Sequence, residues 1–165
     1  MEMTTDWVLR EAVVADADAA CQVLKRSIVE CCALDHHRDP TRIATWIANK
    51  TSENVSAWIA HPGVYALIAE SASKPVGVGM ITRSGQVTLC YLVPEALYKG
   101  IGRALLNAML DRAQHWGLRT VHLESTQTAL AFYARNGFNP DGAPFNENGL
   151  IGTPMSRDIE RSRYH

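Results

Sequence analysis

The chain has 165 residues and a formal net charge of −1, with 47% hydrophobic and 20% charged residues. That length favours a single domain over residues 1–165, large enough to bury a core. The near-neutral balance, with basic residues scattered along the chain, gives no electrostatic case for nucleic acid or an anionic membrane as partner. No apolar run reaches the ~20 residues of a membrane-spanning helix, and the polar, acidic residues 1–10 lack the basic and apolar regions of a secretory leader. Cys21, Cys31, Cys32 and Cys90 form no C-x-x-C, so reduced thiols and a cytoplasmic setting are expected.

In chain order, residues 8–12 read as a short strand. Asp16 then stands as an N-cap before Ala20, Cys21, Leu24, Ile28 and Cys31, an apolar stripe at helical spacing. Residues 35–40, Asp-His-His-Arg-Asp-Pro, break that helix, because proline disfavours a helical residue before it. A second amphipathic helix carries Ile43, Trp46 and Ile47, and a third carries Val55, Trp58 and Ile59 up to Pro62-Gly63. Residues 64–70, 76–82 and 87–93 are β-rich runs with turn residues between them, which predicts an antiparallel meander. Residues 101–116 give the strongest helical pattern, with Leu105, Leu106, Met109, Leu110, Ala113 and Trp116 on one face and Gly117 at the expected C-terminal stop. A strand over residues 120–125, a helix over 128–135 closed by Asn136-Gly137, and a last strand near 151–157 complete the pattern. The sum is an α+β domain: a mixed, mostly antiparallel central sheet with helices on both faces.

The chemistry concentrates where the run ending at Pro94 gives way to Gly100-Ile101-Gly102 at the head of the long helix. A helix N-terminus offers unpaired backbone amides and a partial positive charge. Glycines there let a phosphate approach without a Cβ in the way, and Lys99 and Arg103 add charge. A dinucleotide fingerprint would place glycine at position 105, where Leu105 stands, and a P-loop would follow glycine with Lys-Ser/Thr, where Arg103-Ala104 stands. The pyrophosphate of coenzyme A is what these residues leave standing.

The run from Leu92 to Leu106, with Gly100-Ile101-Gly102 within it, resembles motif A of the GNAT superfamily of N-acetyltransferases. Downstream, Ala129, Phe132, Tyr133, Gly137 and Phe138 are similar to that family's Ala-x-x-Phe-Tyr-x-x-x-Gly-Phe signature. The two matches cover the second half of the chain. The resemblance implies acetyl-CoA as acyl donor, no metal, and direct transfer of acetyl to a primary amine of a small molecule or protein. It implies that backbone groups of Tyr91, Leu92 and Val93 pair with the pantetheine arm where two strands splay. Lys99, Gly100, Ile101, Gly102, Arg103 and Ala104 would cradle the pyrophosphate, and Tyr133 would protonate the departing thiolate. There are two departures from the family pattern: Leu97 stands where the motif has Arg or Gln, and Thr126 stands where many members have an Asn that contacts the cofactor. Self-pairing through a sheet edge is common in the family, which makes a homodimer an expectation of the resemblance.

Other readings stand beside these. A non-catalytic acyl-CoA-binding sensor or regulator would share the fold. Asp35, His36, His37 and Asp39 invite a metal, but adjacent histidines cannot easily share one ion; the resemblance implies instead a role for Asp35 or His36 in gripping an amine, because in that family the loop after the first helix borders the acceptor cleft. Residues 86–93 hold no carboxylate, so the proton acceptor stays unassigned among Glu124, His36 and solvent. The near-neutral charge argues against aminoglycosides and polyamines, which meet acidic clefts.

Overall fold

A computed structural model describes residues 6–159. Strands β1 (Trp7–Glu11), β2 (Val64–Ser71), β3 (Lys74–Thr82) and β4 (Val87–Leu92) form one antiparallel sheet in that order. A second antiparallel sheet joins β5 (Thr120–Ser125), β8 (Leu150–Asp158) and the two-residue β6 (Asn139–Pro140), while β7 (Phe145–Glu147) also pairs with β8. The meander and the last strand follow the sequence reading. Strands β6 and β7 were not expected from it.

Between β1 and β2 lie α1 (Ala17–Cys31), α2 (Ala33–His36), α3 (Pro40–Ile47) and α4 (Ser52–Ala60). Helix α5 (Ile101–His115) follows β4, and α6 (Leu130–Arg135) follows β5. Helix α5 buries Leu105, Leu106, Met109, Leu110 and Ala113, the face its periodicity marks. Leu105 packs over Gly77 and Met109 over Gly79. Side chains alternate along a strand, so Val78 and Met80 point to the opposite face, where α1 packs. Helices thus cover both faces of the first sheet, and one apolar cluster runs from Ala20 and Leu24 of α1 through β2–β4 to Val121, Leu123 and Met155 of the second sheet.

Two local expectations change. Asp16 makes no side-chain cap on α1. Its carboxylate instead takes both Arg10 guanidinium nitrogens at 2.7 Å and the Val13 amide at 2.8 Å, while Arg10 Nε donates to Glu70. The segment after α1 is a second short helix, α2, ended by His37 and Arg38 at positive φ, and not an open loop. The helix stop falls there, and Asp39 then caps α3 by accepting the Thr41 amide at 2.9 Å.

The Arg10 guanidinium holds the Asp16 carboxyl below its usual 3.8, so Asp16 stabilises the fold fully above that value and the contribution is lost as pH falls through the lowered folded value. Asp16→Asn should therefore cost about 1–3 kcal/mol at pH 7, the worth of hydrogen bonds to a charged group. The gap between variant and parent in urea unfolding should shrink as the titration moves below pH 3.8.

Candidate active site

The two sheets meet at a single parallel bridge, Gln86 to His122, with the His122 amide donating to Gly85 O at 2.8 Å. Beyond it β4 and β5 belong to different sheets and diverge. A cleft of about 560 Å³ fills the divergence, with Thr88, Cys90 and Leu92 on one wall and Glu124, Thr126 and Tyr133 on the other.

Directionality along β4 decides which backbone groups face that cleft. The Val93 amide donates to Val76 O at 3.0 Å, so it belongs to the first sheet and not to the gap. Hydrogen-bonding direction alternates along a strand, which turns Tyr91 toward β3 with Val93 and leaves Cys90 and Leu92 facing the gap. Burial pushes the Tyr91 hydroxyl pKa up. Of the three positions expected to offer backbone groups, Leu92 is on the gap side, with its carbonyl accepting the Cys31 thiol at 3.9 Å; Tyr91 lines the cleft, and Val93, just past β4, is buried in the core.

At the wide end of the cleft, α5 begins. Gly100 is its N-cap at φ 83°, a left-handed conformation that glycine adopts without steric cost, and no side chain caps the helix. A Cβ at Gly102 would stand 3.4 Å from Leu92 Cδ1 and from the Phe132 ring, so any larger side chain there would enter the cleft or press on its walls. The Ala104 amide already donates to Gly100 O at 3.0 Å. The amides of Ile101, Gly102 and Arg103 are the first-turn donors without a helical acceptor, which narrows the expected cradle by one residue. Gly100, Gly102 and Arg103 line the cleft; Ile101 sends its side chain into the core, and Lys99 is exposed beside them. Leu97 also lines the cleft, where it offers an apolar surface in place of a charge.

Across the cleft, Tyr133 is 7% exposed, with its ring edge-on to Phe138 at 5.7 Å. Burial, with the Cys90 thiol close by, holds the pKa of its hydroxyl well above the ordinary tyrosine value, so it stays protonated through neutral pH. Burial likewise pushes the Cys90 and Cys32 thiols up to about 12. Thr126 lines the cleft, but its hydroxyl accepts the Ala129 amide at 3.1 Å and so shapes the turn into α6.

Asp35 was expected at the acceptor. It is 5% exposed and instead accepts the Gln127 amide at 2.6 Å, the Thr128 amide at 3.2 Å and the Thr128 hydroxyl. This carboxylate ties α2 to the β5–α6 loop and thereby sets the height of Tyr133. His36 is fully buried, with Nε2 2.8 Å from Ile28 O and Nδ1 accepting the Arg38 amide at 3.0 Å. Both ring nitrogens are engaged, so His36 has no free nitrogen for a substrate. Among the described residues, no group of three or more His, Cys, Asp or Glu is placed to hold a metal ion, and no helix is long and apolar enough to cross a membrane.

A divergent strand pair, an uncapped glycine-opened helix at its wide end and a buried protonated tyrosine across the gap define a cleft for an extended anionic ligand. A model of the acetyltransferase (GNAT) domain matches residues 34–159, and the chain belongs to this family, whose chemistry is acetyl transfer. An IAA acetyltransferase of Azospirillum brasilense is 32% identical over 111 residues, 62% of this chain and 71% of that protein. Against another curated relative the matched stretch spans 63% of the relative's length. A GCN5-related N-acetyltransferase structure from Rhodopseudomonas palustris superposes with a TM-score of 0.84 at 23% identity, covering 96% of this chain and 99% of that one. The PaiA N-acetyltransferase of Thermoplasma acidophilum, solved with coenzyme A, gives 0.78 at 18% identity over 94% of this chain and all of its own.

If Asp35 braces the second sheet, Asp35→Ala strands two backbone donors at 127 and 128. Stability should fall on the order of 1–3 kcal/mol. Amide hydrogen exchange should rise in residues 126–135 more than in α5, and uniform exchange across the two regions would remove the brace.

Proposed function

We propose that this protein transfers an acetyl group from acetyl-CoA directly to a primary amine. The observation that carries the reading is the uncapped first turn of α5 opening onto the β4–β5 gap, with Tyr133 facing the same space. Three unpaired amides, the helix dipole and Arg103 suit a pyrophosphate. The gap-facing backbone of Cys90 and Leu92 suits the amide groups of an extended pantetheine arm. A coenzyme A complex of PaiA, with the same fold, supports that choice of ligand.

Bound there, acetyl-CoA supplies an activated thioester. The chain contributes position and a proton. Backbone groups of β4 orient the acetyl carbonyl, which turns a bimolecular encounter into an oriented one. Tyr133 carries a proton on its hydroxyl oxygen and delivers it to the sulfur that leaves. Cys90 and Cys32, held as thiols by burial, are poor nucleophiles, which favours direct transfer over a covalent acyl-enzyme.

Calorimetric titration with acetyl-CoA, followed by release of free thiol in the presence of an amine panel, tests the reading. Binding without turnover would instead support a non-catalytic sensor. Gly102→Asp sets a carboxylate against the phosphates and should weaken acetyl-CoA at least tenfold, about 1.4 kcal/mol. Unchanged affinity in a folded variant would remove the cradle from α5.

Tyr133→Phe keeps the ring and deletes the proton. Turnover at saturating acetyl-CoA should fall by about 10²–10⁴, while the melt should barely move, because the ring and its packing on Phe138 are kept. Full turnover in this variant would make Tyr133 a packing residue.

A further inference from the structure

The cleft continues past the first turn of α5, beyond the amides that suit a diphosphate. Leu97, Tyr98, Arg103 and Arg135 line it there. Phe132 lies against Gly102, and Arg135, three residues on, is its neighbour on the same face of α6. Tyr98 stands two residues before the N-cap Gly100, so its Cα lies no more than ~11 Å from that of Ile101.

Two properties of Tyr98 are unfavourable for folding. It is 99% exposed, whereas Leu34, the next most exposed large apolar residue among those described, is 61% exposed. Its backbone also sits at φ 62°, in the left-handed region, which a bulky side chain occupies only at a cost in free energy. Among the described residues, the other non-glycine positions at positive φ are His37, Arg38, Ala72, Ser73 and Asn148, and none of them lines the cleft. Glycine would relieve the turn, and a polar side chain would remove the apolar exposure. A bulky ring kept at such a position has a use outside the fold, and strain of this kind collects at ligand clamps.

The charges beside it narrow what that use is. Arg103 stands in the first turn of α5, where the helix dipole opposes a cation. Neither Arg103 nor Arg135 forms an ion pair with the described residues. An exposed aromatic ring between unpaired guanidiniums suits a flat, uncharged ring system that carries phosphate, and it gives a cationic group no partner.

We propose that Tyr98 is a platform for the adenine of acetyl-CoA, and that it makes the enzyme select acetyl groups carried on the nucleotide over those carried on phosphopantetheine alone. This rests on the acetyl-transfer reading above. In acetyl-CoA the diphosphate joins the pantetheine arm to adenosine 3′-phosphate, so the base lies past the first-turn amides, on the side where Tyr98 stands. Stacking needs only the π-face of each ring and no partner for the tyrosine hydroxyl. Leu97 adds apolar surface beside the ring in place of a phosphate contact.

Calorimetric titration of the full chain with three donors tests the platform: acetyl-CoA, acetyl-dephospho-CoA, which keeps the base and lacks the 3′-phosphate, and S-acetyl-4′-phosphopantetheine, which lacks the nucleoside. Tyr98→Ala should weaken the first two about tenfold, the scale of one base stacked on an aromatic ring, and leave the third within about twofold. Tyr98→Phe keeps the ring and should bind all three as the parent does. Tyr98→Gly should lose the same affinity as Tyr98→Ala yet melt no lower than the parent, because glycine relaxes the left-handed turn. Parental affinity of Tyr98→Ala for acetyl-CoA overturns the proposal. So does an equal loss for all three donors, which would make residue 98 a support of the cradle, or a loss for acetyl-CoA alone, which would put the ring on the 3′-phosphate. A Tyr98→Gly melt well below the parent would make the ring a packing residue. Failure of the parent to bind any of the three donors overturns the acetyl-transfer reading, and the platform with it.

Discussion

Everything at the site follows from two antiparallel sheets sharing only one bridge, Gln86 to His122. Past that point the facing edges of β4 and β5 carry backbone donors and acceptors with no strand between them. Buried groups of that kind need partners. Cys90 and Leu92 of β4 and Phe132 and Tyr133 of α6 line the space between the edges. The gap is a slot of about 560 Å³ bounded by the two strand edges.

A slot between two sheets needs a brace, and Asp35 provides it. A carboxylate that is 5% exposed is costly unless it is fully hydrogen-bonded. Here two amides and a hydroxyl from residues 127 and 128 surround it. The same three bonds fix where the β5–α6 loop turns, and Thr126 continues the turn by accepting the Ala129 amide. Tyr133 then reaches the gap from a helix whose start is pinned at two points. Removing α2 from its place would shift the tyrosine, although α2 contributes no atom to the cleft chemistry.

The sequence made the strands and helices legible because composition, period and punctuation agree: β2, β3 and β4 fall on the β-rich runs between turn residues, and α5 is followed by a glycine with φ +81°. The cleft was legible through glycine spacing and the family signature. Long-range partnerships left no such trace. Asp16 sits where an N-cap belongs, yet the Arg10 guanidinium, six residues away, outcompetes the helix amides for it. Asp35 and His36 look like surface polar residues, and only the folded chain shows their partners at 127, 128, 28 and 38. One signal was present and unread: Asn148-Gly149, both at positive φ, joins β7 to β8 as a two-residue hairpin turn of the kind that dipeptide favours.

The nearness of the Tyr133 hydroxyl to the Cys90 thiol bears on the direction of the proposed chemistry. A hydroxyl that donates to a neutral thiol makes a weak bond, because thiol sulfur is a poor acceptor. A departing thiolate in the same cleft is a charged acceptor, and hydrogen bonds to ionised partners are roughly twice as strong. The exchange of one sulfur for the other gains little while the thioester is intact and most when the C–S bond breaks. An interaction that strengthens only as charge develops lowers the barrier without tightening the ground state. Burial reinforces this difference, since it keeps Tyr133 protonated and leaves few competing water molecules to solvate the new anion. In that proposed chemistry Cys90 is no rival nucleophile, because burial pushes its thiol up to about 12.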